Sequence, residues 1–291
     1  MTLSILIAVI HAFGQQPEET GAHHFDAEGP GGATLPVYMH VPAEVRADAP
    51  VLLVFHGASR NPDDYRDAWS EIAEACGAVI AAPGFSRERF PGAEGYNLGG
   101  LGTDGENAFA WVEPVFDAVR ARYGLHAEGY YAFGHSAGSQ FLHRFLFFTP
   151  ETRLIHGVGA NAGWYTRPDP SVAWPYGFKD APADPIPLAA VAELPFEIHL
   201  GALDSDPQGE NVRRDALADA QGDNRLARGL SMAAHVNAMG AEAGAGWRVE
   251  IVPAVAHDNT RMAPAAARAL LPPALQARPA CAALLRGPAH E

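Results

Sequence analysis

Lysine is almost missing from this chain. Lys179 stands alone, so the 20 basic residues are otherwise arginines, set against 34 acids for a formal net charge of −14. Phosphate binding needs a basic stripe and none is visible, which argues against nucleic acid as a partner and against anionic membrane surfaces. Cysteine is nearly as scarce: Cys76 and Cys281 are too few and too far apart for a zinc site, and a disulfide between them is permitted without being indicated. No low-complexity linker divides the 291 residues and no fixed-period repeat appears, so the chain reads as one domain with an ample apolar core. Long apolar runs are absent too. The most apolar N-terminal stretch, Leu3 to Phe13, is too short to span a bilayer comfortably.

That stretch leaves two readings open. Ala12-Phe13-Gly14 offers small residues where a signal peptidase cuts, but no Lys or Arg precedes the run and His11 interrupts it. A cleaved signal implies a secreted or periplasmic protein, and an N-terminal extension a cytoplasmic one. The expected organisation is therefore a leader or extension over 1–20, a catalytic domain over 21–275 and a tail over 276–291.

Strand and helix signals alternate through the domain. Leu35 to Val41 has apolar residues at every second place, after a Gly/Pro-rich lead-in at Gly29 to Gly32; Val51 to Phe55 is continuously apolar, as in a strand covered on both faces. Further strands are expected at 78–82, 130–133, 154–160, 196–200 and 247–252. Helices are expected at 63–76, 106–123 with Pro114 as a kink or late start, 139–148, 212–240 in one or two pieces, and 260–271. Two irregular segments stand out. One is the glycine-dense loop 85–104, and the other is 161–195, where Trp164, Tyr165, Trp174, Tyr176 and Phe178 lie among prolines, as in a lid or pocket wall or as buried anchors of a surface loop. This alternation predicts an α/β fold with a mostly parallel central sheet, helices on both faces, and ligands beyond the carboxyl ends of the strands.

Gly134-His135-Ser136-Ala137-Gly138 sits between an expected strand and helix, the place of a nucleophile elbow. Glycines two positions either side of the serine are a steric requirement of that tight turn, and the helix after Ser136 aims backbone N–H groups at the reacting atom. The other groups of an acyl-transfer site are expected past other strand ends. Asp204 follows 196–200 in Gly201-Ala202-Leu203-Asp204, with Asp206 as its close competitor, and His257 follows 247–252. Their chain order, Ser, Asp, His, is that of an α/β-hydrolase triad, with His257 as base and Asp204 as its orienting acid. His56-Gly57-Ala58 ends the strand 51–55, so the N–H groups of Ala58 and Ala137 are the candidate oxyanion donors. His56 itself, His135, His143, His156, His199 and His235 read as packing residues. His23-His24 reads as part of a loop with no spaced ligand partners, so no metal is expected.

On these residues the chain resembles the α/β-hydrolase superfamily, and within it the poly(3-hydroxybutyrate) depolymerase-like and feruloyl-esterase-like serine esterases. The resemblance spans about Leu35 to Leu271 and rests on Phe55-His56-Gly57, Gly134 to Phe141, Gly201 to Asp204 and Val255-Ala256-His257. It implies the α/β-hydrolase fold and carboxylic-ester hydrolysis without cofactor, carried by Ser136, Asp204 and His257 on a small-molecule ester. Asn161, Trp164 and Tyr165, beside the triad, are expected to shape the pocket. A serine peptidase on the same fold and a non-catalytic binding protein are the alternatives. No stable membrane insertion is expected, and the sequence leaves the oligomeric state open.

Overall fold

The computed structural model describes residues 19–286, so the candidate signal before Gly14 and residues 287–291 lie outside the described residues. Eight strands among them form one sheet: β1 (Gly21–Glu28), β2 (Thr34–Val41), β3 (Val51–Phe55), β4 (Val79–Pro83), β5 (Tyr130–His135), β6 (Leu154–Ala160), β7 (Phe196–Gly201) and β8 (Arg248–Val252). Their order across the sheet is β1-β2-β4-β3-β5-β6-β7-β8. β2 pairs antiparallel with β1 and with β4, and every other pairing is parallel.

The unbroken apolar run of β3 is resolved by its period of two. Val51, Leu53 and Phe55 enter one core, while Leu52 and Val54 enter the other on the opposite face. Helices α1 (Pro62–Asp67) and α2 (Ser70–Cys76) cover the second face, and the single helix expected over 63–76 is divided between them. The break falls at Ala68-Trp69, where Trp69 turns into the core against Phe133. After the short α3 (Gly92–Gly95), a 3-10 turn over Ala108–Trp111, capped by Asn107, leads into α4 (Val112–Tyr123). Pro114 thus falls in the first turn of α4, where a missing N–H deprives the helix of no bond.

Helix α5 (Ala137–Phe148) packs on the first face with α4, Phe141 and Phe145 filling the space between sheet and helix. The segment 161–195 is largely irregular apart from α6 (Leu188–Val191), and its aromatics are anchors: Trp164 packs on Tyr176 and Phe178 on Phe147. Beyond β7 come α7 (Ala216–Asp219) and α8 (Arg225–Gly240), and beyond β8 come α9 (Asn259–Leu270), α10 (Pro273–Gln276) and α11 (Pro279–Leu285).

Two segments differ from expectation. His23-His24 belongs to strand β1 rather than a loop; β1 is an edge strand with alternate residues facing solvent, so its apolar signal is weak. The region expected as a tail carries α11, and Cys281 within it is buried and disulfide-bonded to Cys76 of α2, with their Cα atoms 4.7 Å apart.

Candidate active site

Ser136 leaves β5 and enters α5 with φ 57° and ψ −116°, a left-handed backbone that a non-glycine residue adopts only under constraint. The constraint is visible on both sides. A Cβ on Gly138 would lie 2.0 Å from the carbonyl oxygen of Phe55 on β3, and one on Gly134 would lie 2.3 Å from the carbonyl oxygen of Gly138. The Ser136 N–H donates to Ala160 O on β6 at 2.9 Å and its carbonyl accepts from Gln140 N at 3.1 Å, so the turn is held from strand and helix alike. The residue itself is half-buried.

Asp204 and His257 come together from different strand ends. His257 Nδ1 lies 2.7 Å from Asp204 Oδ2, which leaves the outer ring nitrogen, Nε2, free. Asp204 is buried, and its other oxygen accepts from Arg225 Nη1 at 3.1 Å, a buried guanidinium at the start of α8. The loops carrying the pair are joined by backbone bonds, Leu203 N to Val255 O at 2.8 Å and Ala202 N to Val252 O at 2.9 Å. Gly201 is obligatory in this close approach, since a Cβ there would lie 2.6 Å from the carbonyl oxygens of both Val255 and Ala256. Asp206 is exposed and caps Gln208 N at 2.8 Å. The elbow meets this pair through His135, whose ring centroid lies 4.5 Å from that of His257.

The loop after β3 is built around His56. Its Nδ1 donates to Gly57 O at 3.0 Å and its Nε2 accepts from Phe85 N at 3.2 Å. Burial pushes the His56 pKa down to about 3, so the ring is neutral, and both its nitrogens are spent on the backbone. Tyr96 stacks on it and donates to His56 O at 2.7 Å. Gly57 O also accepts from Arg60 N at 3.2 Å, so the Gly57-Ala58 peptide that carries the Ala58 N–H is oriented through its carbonyl. Ala137 is the first residue of α5, so its N–H has no intrahelical acceptor. A Cβ placed on Gly57 would lie 3.7 Å from Ser136 Cβ, which brings this loop to the turn at Ser136.

The three residues expected to line a pocket are all buried. Asn161 spends its amide on the framework, accepting from Gly201 N at 2.8 Å and donating to Ala256 O at 3.2 Å. Tyr165 is sealed, its backbone paired with Gln221, and Trp164 lies between Tyr176 and the guanidinium of Arg144. Arg225 carried no signal in the sequence. It is 21 residues from Asp204, at the start of a separate element, α8. No described helix is long and apolar enough to cross a membrane.

Neither a protein-family model nor a curated protein matches the sequence. Solved structures do. The chain is 37% identical to poly(aspartic acid) hydrolase-1 from Sphingomonas sp. KT-1, with TM-score 0.80 over 86% of this chain and 98% of that one. It is 30% identical to LpqC, a poly(3-hydroxybutyrate) depolymerase from Bordetella parapertussis, with TM-score 0.78 over 89% of this chain and 95% of that one. The siderophore hydrolase EstB from Aspergillus nidulans, 17% identical with TM-score 0.53 over 86% of this chain and 94% of that one, shares the fold. The mostly parallel eight-stranded sheet and these two full-length likenesses make the chain an enzyme of hydrolase type that belongs to the poly(3-hydroxybutyrate) depolymerase-like α/β-hydrolases.

Proposed function

We propose that the chain is a serine esterase that cleaves carboxylic esters through an acyl-enzyme. Ser136 Oγ attacks the acyl carbonyl and His257 Nε2 takes the hydroxyl proton. The N–H groups of Ala58 and Ala137 receive the negative charge on the carbonyl oxygen. The alcohol then leaves with the proton from His257, and water repeats the sequence on the acyl-enzyme. Asp204 keeps the proton of the resting imidazole on Nδ1 and stabilises the imidazolium. The observation that carries this reading is the 2.7 Å Asp204–His257 bond beside the strained turn at Ser136. Asn161 serves in it as framework for the acid and base loops, and Trp164 and Tyr165 begin the aromatic segment that follows it.

Purified protein offered p-nitrophenyl esters and peptide anilides tests the proposal. Esters are expected to turn over, a fluorophosphonate probe is expected to label Ser136, and Ser136→Ala is expected to lower kcat by ~10⁴ or more with an unchanged unfolding midpoint. A Ser136→Ala protein that keeps its turnover would end the reading. Amide cleavage is the second reading. It is favoured by the 37% identity to a hydrolase of poly(aspartic acid), and turnover of anilides without esters would put it first.

A further inference from the structure

A chain of three buried polar side chains runs beneath the site and touches every loop that contributes to it. Asn161, at the end of β6, accepts from Gly201 N, which fixes its oxygen and leaves its NH₂ with two protons. One is donated to Ala256 O at 3.2 Å and the other points at His135 Nε2, 3.4 Å away. His135 must therefore offer a lone pair at Nε2 and carry its proton on Nδ1, which donates to Tyr65 Oη at 3.1 Å. Tyr65, on α1, brings that hydroxyl against Gly57: a Cβ on Gly57 would lie only 2.6 Å from it. Gly57 adjoins Ala58, His135 adjoins Ser136, Ala256 adjoins His257, and Gly201 opens the loop of Asp204.

We infer that Tyr65, His135 and Asn161 form a positioning network that holds the oxyanion loop, the elbow, the acid loop and the base loop in one register. None of the three touches substrate; each acts through the backbone of its neighbour. Burial, then the neighbouring His257 and Arg225, holds the His135 pKa well below the ordinary histidine range, so the ring stays neutral and keeps a lone pair for Asn161. Holding separate loops to within a fraction of an ångström is where such a network acts on rate, because the donors must meet the oxyanion rather than the ground-state carbonyl.

The catalytic consequence rests on the reading of Ser136 as nucleophile, whereas the network itself is tested without it. In a histidine ¹⁵N–¹H correlation spectrum at pH 7, His135 is expected as a neutral ring with its proton on Nδ1; a proton on Nε2 overturns the network whatever the enzyme cleaves. Tyr65→Phe is expected to lower kcat about tenfold with KM unchanged, and to weaken binding of a boronic-acid transition-state analogue by the same factor. Asn161→Asp keeps the acceptor for Gly201 and tolerates the left-handed backbone, but removes the donors to His135 and to Ala256 O. Combined with Tyr65→Phe, it is expected to cost much less than the product of the two losses, as two cuts in one network do. An unchanged kcat in Tyr65→Phe, a raised KM in place of a lowered kcat, or losses that multiply would overturn the inference. Should Tyr65→Phe fail to fold, the spectrum of the unaltered protein decides. Full turnover in Ser136→Ala would sink the nucleophile and leave the spectral result standing.

Discussion

Asp204 and Asp206 are two residues apart and chemically identical, and their surroundings separate them. Asp204 is buried between His257 and Arg225, while Asp206 is exposed and caps a turn. Asp204→Asn is expected to lower kcat by ~10³ to 10⁴, because an amide at Oδ2 can face the imidazole with its NH₂ and force the wrong tautomer. Asp206→Asn is expected to stay within a few-fold of the parent. The two variants assayed side by side on one ester decide, and the reverse ranking would move the acid to Asp206. Ser136, Asp204 and His257, the proposed nucleophile, acid and base, can be picked out in the sequence because each lies just past a strand end. Arg225 and Tyr65 cannot, since both reach the site from helices whose rotation about the sheet no sequence pattern reports.

At the scale of elements, the strands most completely buried were read most closely. β3 and β7 fall, to within one residue, where apolar runs place them, because every residue of each strand is buried. β1 carries little apolar signal, since His23 and His24 each present a ring to one neighbour, Tyr123 and Tyr38, and alternate residues of the strand face solvent. The helix expected over 63–76 is split by the demand of one indole for the core, a tertiary choice that local propensity does not contain. The contact of α5 with β3 is the least tolerant of this kind. Gly138→Ala would put a methyl group 2.0 Å from Phe55 O, and strand and helix must separate to admit it. Urea unfolding is expected to show a loss of about 1–3 kcal/mol, with catalysis lost as the Ala137 N–H moves. A midpoint equal to the parent's would show that the contact yields more easily than the geometry allows.

Across the molecule, burial keeps the imidazoles of His56, His135 and His143 neutral. His56 has its pKa pushed down to about 3, and His135 and His143 are held well below the ordinary value, in each case chiefly by burial. Unfolding returns each to about 6.5, so between about pH 6.5 and pH 3 the unfolded chain binds protons that the folded one refuses. The stabilisation is complete above pH 6.5 and falls on acidification, by up to about 1.4 kcal/mol per pH unit for each ring. Urea midpoints at pH 7, 6 and 5 are expected to fall in that order, and a flat series would contradict the burial.

The Cys76–Cys281 bond spans 205 residues of sequence, a pairing that spacing could not announce because only the packing of α11 on α2 brings the partners together. Its reduction is expected to cost about 2–5 kcal/mol, read as a lowered unfolding temperature in dithiothreitol, and unaltered melting would show the helices hold without it. The bond also changes what kind of object the chain is. From Cys76 to Cys281 the polypeptide is a closed ring that contains Ser136, Asp204 and His257 together. A single break anywhere along that ring, even within the aromatic segment over the sheet, opens it without parting it, and the two lengths of chain stay tethered for as long as the sulfurs remain joined.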